Sequence, residues 1–300
     1  MSVVRRLVRR TAPMALRRRR PVPRWEIGVL QGPSPLEPAT REGARRLLRP
    51  DVLAELGLVA AADPFGLRLD GRWWVLFEAV PVASHRGRVD AAFSDDLVTW
   101  RHAGTVLEEP FHVSYPCVVA DDSGAVCMVP ETSAMKEVRL YRTDALPGRF
   151  VLDRVLLTGR AFKDSTVFRH EGRWWMLSET SPRHTNDELR LFRAAELGGP
   201  WTEHPASPVV TGDATVARPA GPPVVVDGRL IRFAQDCSGG YGRRVLAVEI
   251  TELTPTTYAE RLLGEPGLAG HNGGWRPRAM HHLDAHADGP GWVSFVDGRP

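Results

Sequence analysis

The sequence is poor in cysteine, in lysine and in long apolar runs. Its three cysteines, Cys117, Cys127 and Cys237, are an odd and small number for 300 residues. That argues against a disulfide framework and predicts a reducing compartment. Cys117 and Cys127 could face each other across a hairpin, but two small buried thiols are the simpler expectation. No Cys-x-x-Cys pair is present, which leaves no thiolate zinc site to propose. No stretch approaches the roughly 18 apolar residues of a membrane span, so no stable membrane insertion is expected. The stretch "APMAL" is too short for the apolar region of a signal peptide, which makes the cytoplasm the default location.

Acid is missing from the N-terminus, where residues 1–24 carry nine arginines. The net charge of +3 therefore hides a mildly acidic body. Residues 1–23 read as a disordered basic arm. Such an arm could touch anionic lipid or nucleic acid, but the simpler reading is a solvated tail, and no nucleic-acid partner is expected. A hydrophobic content of 43% suits a sizeable core in residues 24–300.

That body repeats. "ADPFGLRLDGRWWVLFEA" begins at 62, "SYPCVVADDSGAVCMVPETS" at 114 and "KDSTVFRHEGRWWMLSETS" at 163; "ARPAGPPVVVDGRLIRFAQD" begins at 217 and "HHLDAHADGPGWVSFVDG" at 281. The turn glycines Gly71, Gly124, Gly172, Gly228 and Gly289 are 53, 48, 56 and 61 residues apart. Each copy reads as a tight hairpin of two apolar strands about an acid–glycine turn. Further strand-like pieces lie between the copies. About fifty residues and four strands per unit is the spacing of propeller blades. The fold class is therefore all-β, a five-bladed β-propeller with blades starting near 62, 114, 163, 217 and 281. The last copy has only two strands, and "RWEIGVL" (24–30) is unpaired upstream, so the N-terminal strand should complete the last blade and close the ring. A short helix is predicted near 39–57, interrupted by Pro50.

In a blade the first strand leaves one face of the channel and the second returns to it. Asp63, Glu78, Glu131, Asp164, Glu179, Gln235, Asp236, His281, His282 and Asp284 should therefore gather at one mouth. Crowded carboxylates repel, which separates their pKa values as acid–base chemistry requires. An acid ending a strand can instead bond the backbone of the next blade, and for Glu78 that is the preferred reading. Asp63, Glu131 and Asp164 are read as site residues. The turn acids Asp70, Asp122, Glu171, Asp227 and Asp288 are read as turn formers. Trp73–Trp74 and Trp174–Trp175 could stack on a sugar, but a blade is covered on both sides and core packing explains them better. "HHLDAH" would put His282, Asp284 and His286 on one strand face; with no second ligand group, no metal site is assigned.

"ADPF", "DGRWWVLFE" and "DSTVF" resemble the five-bladed propellers of family 43 glycoside hydrolases. Over nearly all of residues 24–298 the order of "WEIGVLQGPSP", "ADPF", "HVSYPCVV", "VPETS", "LYRTDALPGRF", "ARPAGP", "FAQDCSGGYG" and "HH" is similar to the propeller domain attached to glucosamine inositolphosphorylceramide transferases and to some bacterial formyltransferase-like proteins. With the arginine-rich, lysine-poor usage, this resemblance predicts a bacterial source. It implies Asp63 as general base and Asp164 as the acid that tunes it. An inverting pair would need about 6.5–9.5 Å between acid and base. Where family 43 opens the fourth blade with a catalytic glutamate, this chain has Arg218, so the proton donor is expected to be Glu131, or else Glu179. Arg218 could be an anion fork, or a buried partner of Asp164 or Asp236. With His112, Tyr115, Gln235, Asp236, Tyr241 and His282 it would orient a polar, anionic sugar. The resemblance allows a calcium ion at the axis, although no acidic loop here demands one. The expected partner is a carbohydrate. Hydrolysis, transfer and phosphorolysis stay open, as do a non-catalytic sugar-binding module serving a separate transferase and a propeller recruited to an isomerisation or cyclisation.

Overall fold

The computed structural model describes residues 25–37, 44–264 and 279–299. The N-terminal arm lies outside them. Strand β1 (Glu26–Gly32) pairs with the short β2 (Ala44–Arg46), and α1 (Pro50–Glu55) follows. The helix predicted for 39–57 is thus confined to six residues, with Pro50 in its first turn, where a missing N–H costs nothing. Ala44–Arg46 pairs as an outer strand instead, and residues 38–43 lie outside the described segments.

Antiparallel sheets of four or five strands follow. Blade one is β3 (Leu58–Leu69), β4 (Arg72–Pro81), β5 (Arg88–Ser94) and β6 (Arg101–Leu107). Blade two is β7 (Ser114–Ala120), β8 (Val126–Glu131), β9 (Glu137–Arg142) and β10 (Val151–Thr158). Blade three is β11 (Lys163–His170), β12 (Arg173–Glu179) and β13 (Glu188–Ala194), edged by the fragments β14 (Thr202–Glu203) and β15 (Val210–Thr211). Blade four splits its inner strand into β16 (Arg218–Pro219) and β17 (Val224–Val226), then runs β18 (Arg229–Gln235), β19 (Val245–Leu253) and β20 (Tyr258–Leu262). Blade five takes β21 (Leu283–Asp288) and β22 (Gly291–Gly298) from the C-terminus and β1 and β2 from the N-terminus, in the order β2-β1-β22-β21. The ring closes as the sequence predicts, with Glu26–Gly32 running antiparallel to Trp292–Gly298.

Inner strands pack on one another around the axis: β21 on β3, β3 on β7, β7 on β11 and β11 on β16. The seam between blades four and five is made by Leu283 N–H donating to Ala220 O at 2.7 Å. Gly221 is required there: at φ +131 a Cβ would stand 1.9 Å from Leu283 O. Period-two alternation sends each tryptophan pair to opposite sides of its sheet. Trp74 and Trp174 join the core shared by blades one to three, Trp73 fills the blade five–one interface, and Trp175 fills the blade three–four interface. All four are buried, which supports core packing over a sugar platform. The hairpins turn at Asp70–Gly71, Glu171–Gly172 and Asp227–Gly228, each pair at positive φ as a type I′ turn needs. In blade two the turn acid is Asp121, which accepts from Ser123 N and Ala125 N, while Asp122 pairs with Arg169. Cys117 and Cys127 are buried free thiols opposite Val129 and Val119. Among the described residues no helix is long and apolar enough to cross a membrane.

Ile27 is fully buried on the closing strand, within the blade five–one core. Ile27→Ala should cost about 2–5 kcal/mol in urea denaturation. A loss under about 1 kcal/mol would mean that β1 does not seal the ring.

Candidate functional site

Three inner strands begin with the same irregularity. A bulge separates the pairs Ala62–Glu78 and Phe65–Leu76, Ser114–Glu131 and Cys117–Val129, and Lys163–Glu179 and Thr166–Leu177. Inside each bulge one non-glycine residue adopts the left-handed conformation: Asp63 (φ 50), Tyr115 (φ 45) and Asp164 (φ 47). In every case its N–H is taken up by a carboxylate of the preceding blade. Asp297 Oδ2 accepts from Asp63 N at 3.2 Å, Asp63 Oδ2 from Tyr115 N at 3.2 Å, and Glu131 Oε2 from Asp164 N at 3.2 Å.

These residues open into one pocket of about 370 Å³, lined by Asp63, Glu78, Glu131, Asp164, Arg218 and His281, with Trp25, His112 and Tyr241 at its walls. Arg218 donates to Asp164 through Nε at 2.7 Å and Nη2 at 3.3 Å, and through Nη1 to Asn186 Oδ1 at 3.1 Å. Its guanidinium lies 4.9 Å from the Tyr241 ring centre and 3.7 Å from Glu131 Oε2. Opposite, His281 Nδ1 is ion-paired with Asp297 Oδ2, and its Nε2 faces Asp63 Oδ1 at 3.8 Å. The ring of His281 stacks on Trp25 at 4.0 Å.

Electrostatics divide the acids. Burial pushes the Asp63 carboxyl well above the usual carboxylate range; His281 opposes this, and Asp297, Glu78 and Asp164 reinforce it. Burial and then the charge of Asp164 raise Glu131 to about 7, against the pull of Arg218. Burial also disfavours charge on Asp164, yet Arg218 holds it below its ordinary value. Burial lowers the pKa of His281, but Asp297 and then Asp63 more than offset this and raise it to about 9.

The other residues singled out from the sequence are placed as follows. Glu78 bonds the side chain of His112 at 3.2 Å and not the next blade's backbone. His112 stands at the mouth, its pKa raised first by that bond. Gln235 is buried beneath the mouth and donates to Asp164 Oδ2 at 2.6 Å. Tyr115 does not reach the mouth; it is fully buried, with its hydroxyl 2.7 Å from Thr166 Oγ1. His282 lies 4.5 Å from the Phe65 ring, buried and driven down to about 4, with neither ring nitrogen hydrogen-bonded among the described residues. Glu179 is buried against Lys163 Nζ at 3.0 Å and Ser181 N at 2.7 Å, and Asp236 holds Arg244 at 2.8 Å. Neither of these acids lines the pocket. Asp284 accepts from Gly66 N at 2.6 Å and pairs with His286.

Asp297, Asn186 and Trp25 escaped the sequence analysis. Asp297 had a usable signal, since it ends the second strand of its copy as Glu78, Glu131 and Glu179 end theirs. Asp63, His281 and Asp297 bring one ligand atom each to within 4.8 Å of one another. This set does not fit calcium, which takes six to eight oxygens: one of its three groups is an imidazole, and both carboxylates already accept backbone N–H bonds.

Residues 54–299 match the family described as glucosamine inositolphosphorylceramide transferase 1, N-terminal. The rice protein named glucosamine inositolphosphorylceramide transferase 1 (Oryza sativa subsp. japonica) is 34% identical over 299 residues, which cover 91% of this chain and 40% of the rice protein. The chain thus spans about two fifths of the length of the curated relatives it matches. Those relatives are rice and Arabidopsis proteins, which corrects the expectation of a bacterial source. Among solved structures, Zg3597, a family 117 glycoside hydrolase of Zobellia galactanivorans, superposes with a TM-score of 0.56 at 14% identity, covering 79% of this chain and 84% of that one. The GH43_1 enzyme from Xanthomonas citri complexed with xylose gives 0.56 at 12% identity, covering 80% and 86%. At such identities the two structures establish the five-bladed fold alone.

The shifted groups make stability depend on pH. Between about 4.5 and 7 folded Glu131 keeps a proton that the unfolded chain has lost, and between about 6.5 and 9 folded His281 does the same. The native state binds more protons in both windows, so stability should fall as pH rises through them. Urea midpoints measured across pH should show a shallower first slope in Glu131→Gln, with the remainder due to the raised Asp63, and a shallower second slope in His281→Asn; profiles identical to the parent's would contradict these shifts.

Proposed function

The chain belongs to the family of the glucosamine inositolphosphorylceramide transferase 1 N-terminal domain, and from that premise we propose that its propeller holds a carbohydrate at the channel mouth and acts on it by acid–base chemistry, in glycosyl transfer or glycoside cleavage. The observation that carries this reading is one pocket lined by both Asp63 and Glu131, two buried carboxyls that are both pushed above the usual carboxylate range. Burial, reinforced by Asp297, Glu78 and Asp164 and opposed by His281, favours the protonated form of Asp63. Glu131 has Arg218 beside it and changes state near neutrality. In this reading Asp63 gives its proton to the leaving oxygen, and Glu131, which changes state near 7, takes one from water or an acceptor hydroxyl. This reverses the assignment implied by resemblance, in which Asp63 is the base. Asp164, neutralised by Arg218, sets the position and charge of both. His112 and Tyr241 contact the sugar at the rim, and Gln235 supports Asp164 from below.

A second reading is supported by Arg218 itself. It occupies the place where family 43 glycosidases, by resemblance, have a catalytic glutamate, and its bidentate bond to Asp164 is what a rigid, non-catalytic sugar-binding module serving a separate transferase would also use.

Turnover of 4-nitrophenyl glycosides and of the matching alkyl glycosides separates these ideas. With Asp63 as donor, Asp63→Asn should lose at least about a hundredfold on alkyl glycosides, whose leaving group needs a proton, and much less on the aryl ones. Glu131→Gln should slow both. The opposite pattern would restore Asp63 as base. Saturable sugar binding with no turnover in the parent would favour the binding module.

A further inference from the structure

Beside the mouth, between blades two and three, lies a second cavity of about 380 Å³ on the surface. Its walls include Lys136, Arg160, His184 and Arg190, with one carboxylate, Glu188. The segments that form it run directly into the mouth. Lys136 ends the short 3-10 turn that follows Glu131, Arg160 precedes Lys163 and Asp164, and the loop after Glu179 carries His184 and then Asn186, which accepts from both Lys163 Nζ and Arg218 Nη1.

The charge here is opposite to that of the mouth. Arg190 is held by Glu188 at 2.9 Å and by Glu203, and Arg160 shares the same Glu203 at 3.2 Å. Two carboxylates therefore serve two arginines. Lys136 is exposed, and no carboxylate among the described residues lies within ion-pair reach of it. The groove keeps a surplus positive charge. Arg218, by contrast, is committed to Asp164 and Asn186.

We propose that this groove is a subsite for a phosphate group carried by the carbohydrate at the mouth. The inference rests on the reading of the mouth given above and names the class of ligand: a phosphorylated sugar or polyol. A phosphate ester brings one to two negative charges and several acceptor oxygens, which matches cations spread around a volume better than a single planar carboxylate does. The cavity also has room for the ring next to the phosphate. Two sources share this chemistry, a sugar phosphate free in solution and the phosphodiester headgroup of a lipid.

The chain has only two lysines, and Lys163 is buried against Glu179. Reductive ¹³C-methylation of the full chain therefore gives Lys136 a resolved signal. That signal should move with inorganic phosphate and more strongly with glucose 6-phosphate, and the response should weaken as salt rises. The affinity for glucose 6-phosphate, measured by calorimetry, should fall by about tenfold in Lys136→Ala and again in Arg160→Ala, as expected for the loss of a charge-assisted hydrogen bond. Flotation with phosphatidylcholine vesicles, with and without phosphatidylinositol, identifies the source: retention only with phosphatidylinositol, lost in Lys136→Glu, assigns the groove to a headgroup, and binding of glucose 6-phosphate alone assigns it to a soluble sugar phosphate. Neutral sugars that bind at the mouth while phosphate leaves the Lys136 signal unmoved would overturn the groove and spare the mouth. A Lys136-dependent phosphate response in a protein that binds no neutral sugar would keep the groove and sink the mouth reading.

Discussion

Everything at this mouth depends on one repeated hydrogen bond, from the N–H of a left-handed bulge residue at the start of an inner strand to a carboxylate of the preceding blade. It joins blade five to one, one to two and two to three. The left-handed backbone of Asp63, Tyr115 and Asp164 costs of order 1–3 kcal/mol at each position and persists only where the surroundings enforce it. The acceptor carboxylates supply that enforcement. The same acids lie in or beneath the pocket, so the bonds that hold the blades in register also bury charge where a substrate would sit. Burial of several acids close together cannot leave all of them ionised, and the proton distribution of the site follows from the joints of the fold.

Two cations settle which acids keep their charge. Arg218 takes Asp164, and His281 takes Asp297, leaving Asp63 and Glu131 as the groups with unsettled protons. Neither cation stands alone: Tyr241 covers the guanidinium of Arg218, Trp25 stacks on the imidazole of His281, and Tyr241 packs edge-on against that same imidazole at 5.0 Å. The mouth is thus acidic and proton-rich, and the neighbouring groove is basic, a polarity that would orient a ligand with a neutral ring at one end and an anion at the other.

Much of this was legible in the sequence, because period two and turn chemistry are local. The hairpins, the five copies and the closing strand all follow from alternation and from acid–glycine turns, and the paired tryptophans follow from a blade having two covered sides. The gathering of Asp63, Glu131 and Asp164 follows from strand direction alone. What the sequence could not show was which partner each acid would find across blades. Glu179 occupies the same position in its copy as Glu131, and Asp236 follows the equivalent Gln235, yet Lys163 and Arg244 neutralise these two acids away from the pocket. Tyr115 looked like a rim residue, but the bulge turns its ring into the core against Phe65 at 4.9 Å. The helix was overextended because its pattern continued through residues that instead pair as an edge strand with β1.

The most direct test of this account is a ¹³C NMR titration of the Glu131 side-chain carboxyl in the intact chain, assigned by comparison with Glu131→Gln. The account predicts a midpoint near 7 that moves upward in Arg218→Ala, because the guanidinium is the charge that favours its ionised form. A midpoint near 4.5, unmoved by the loss of Arg218, would show a solvated, unlinked carboxylate and would contradict the proton-sharing mouth on which the proposed chemistry stands.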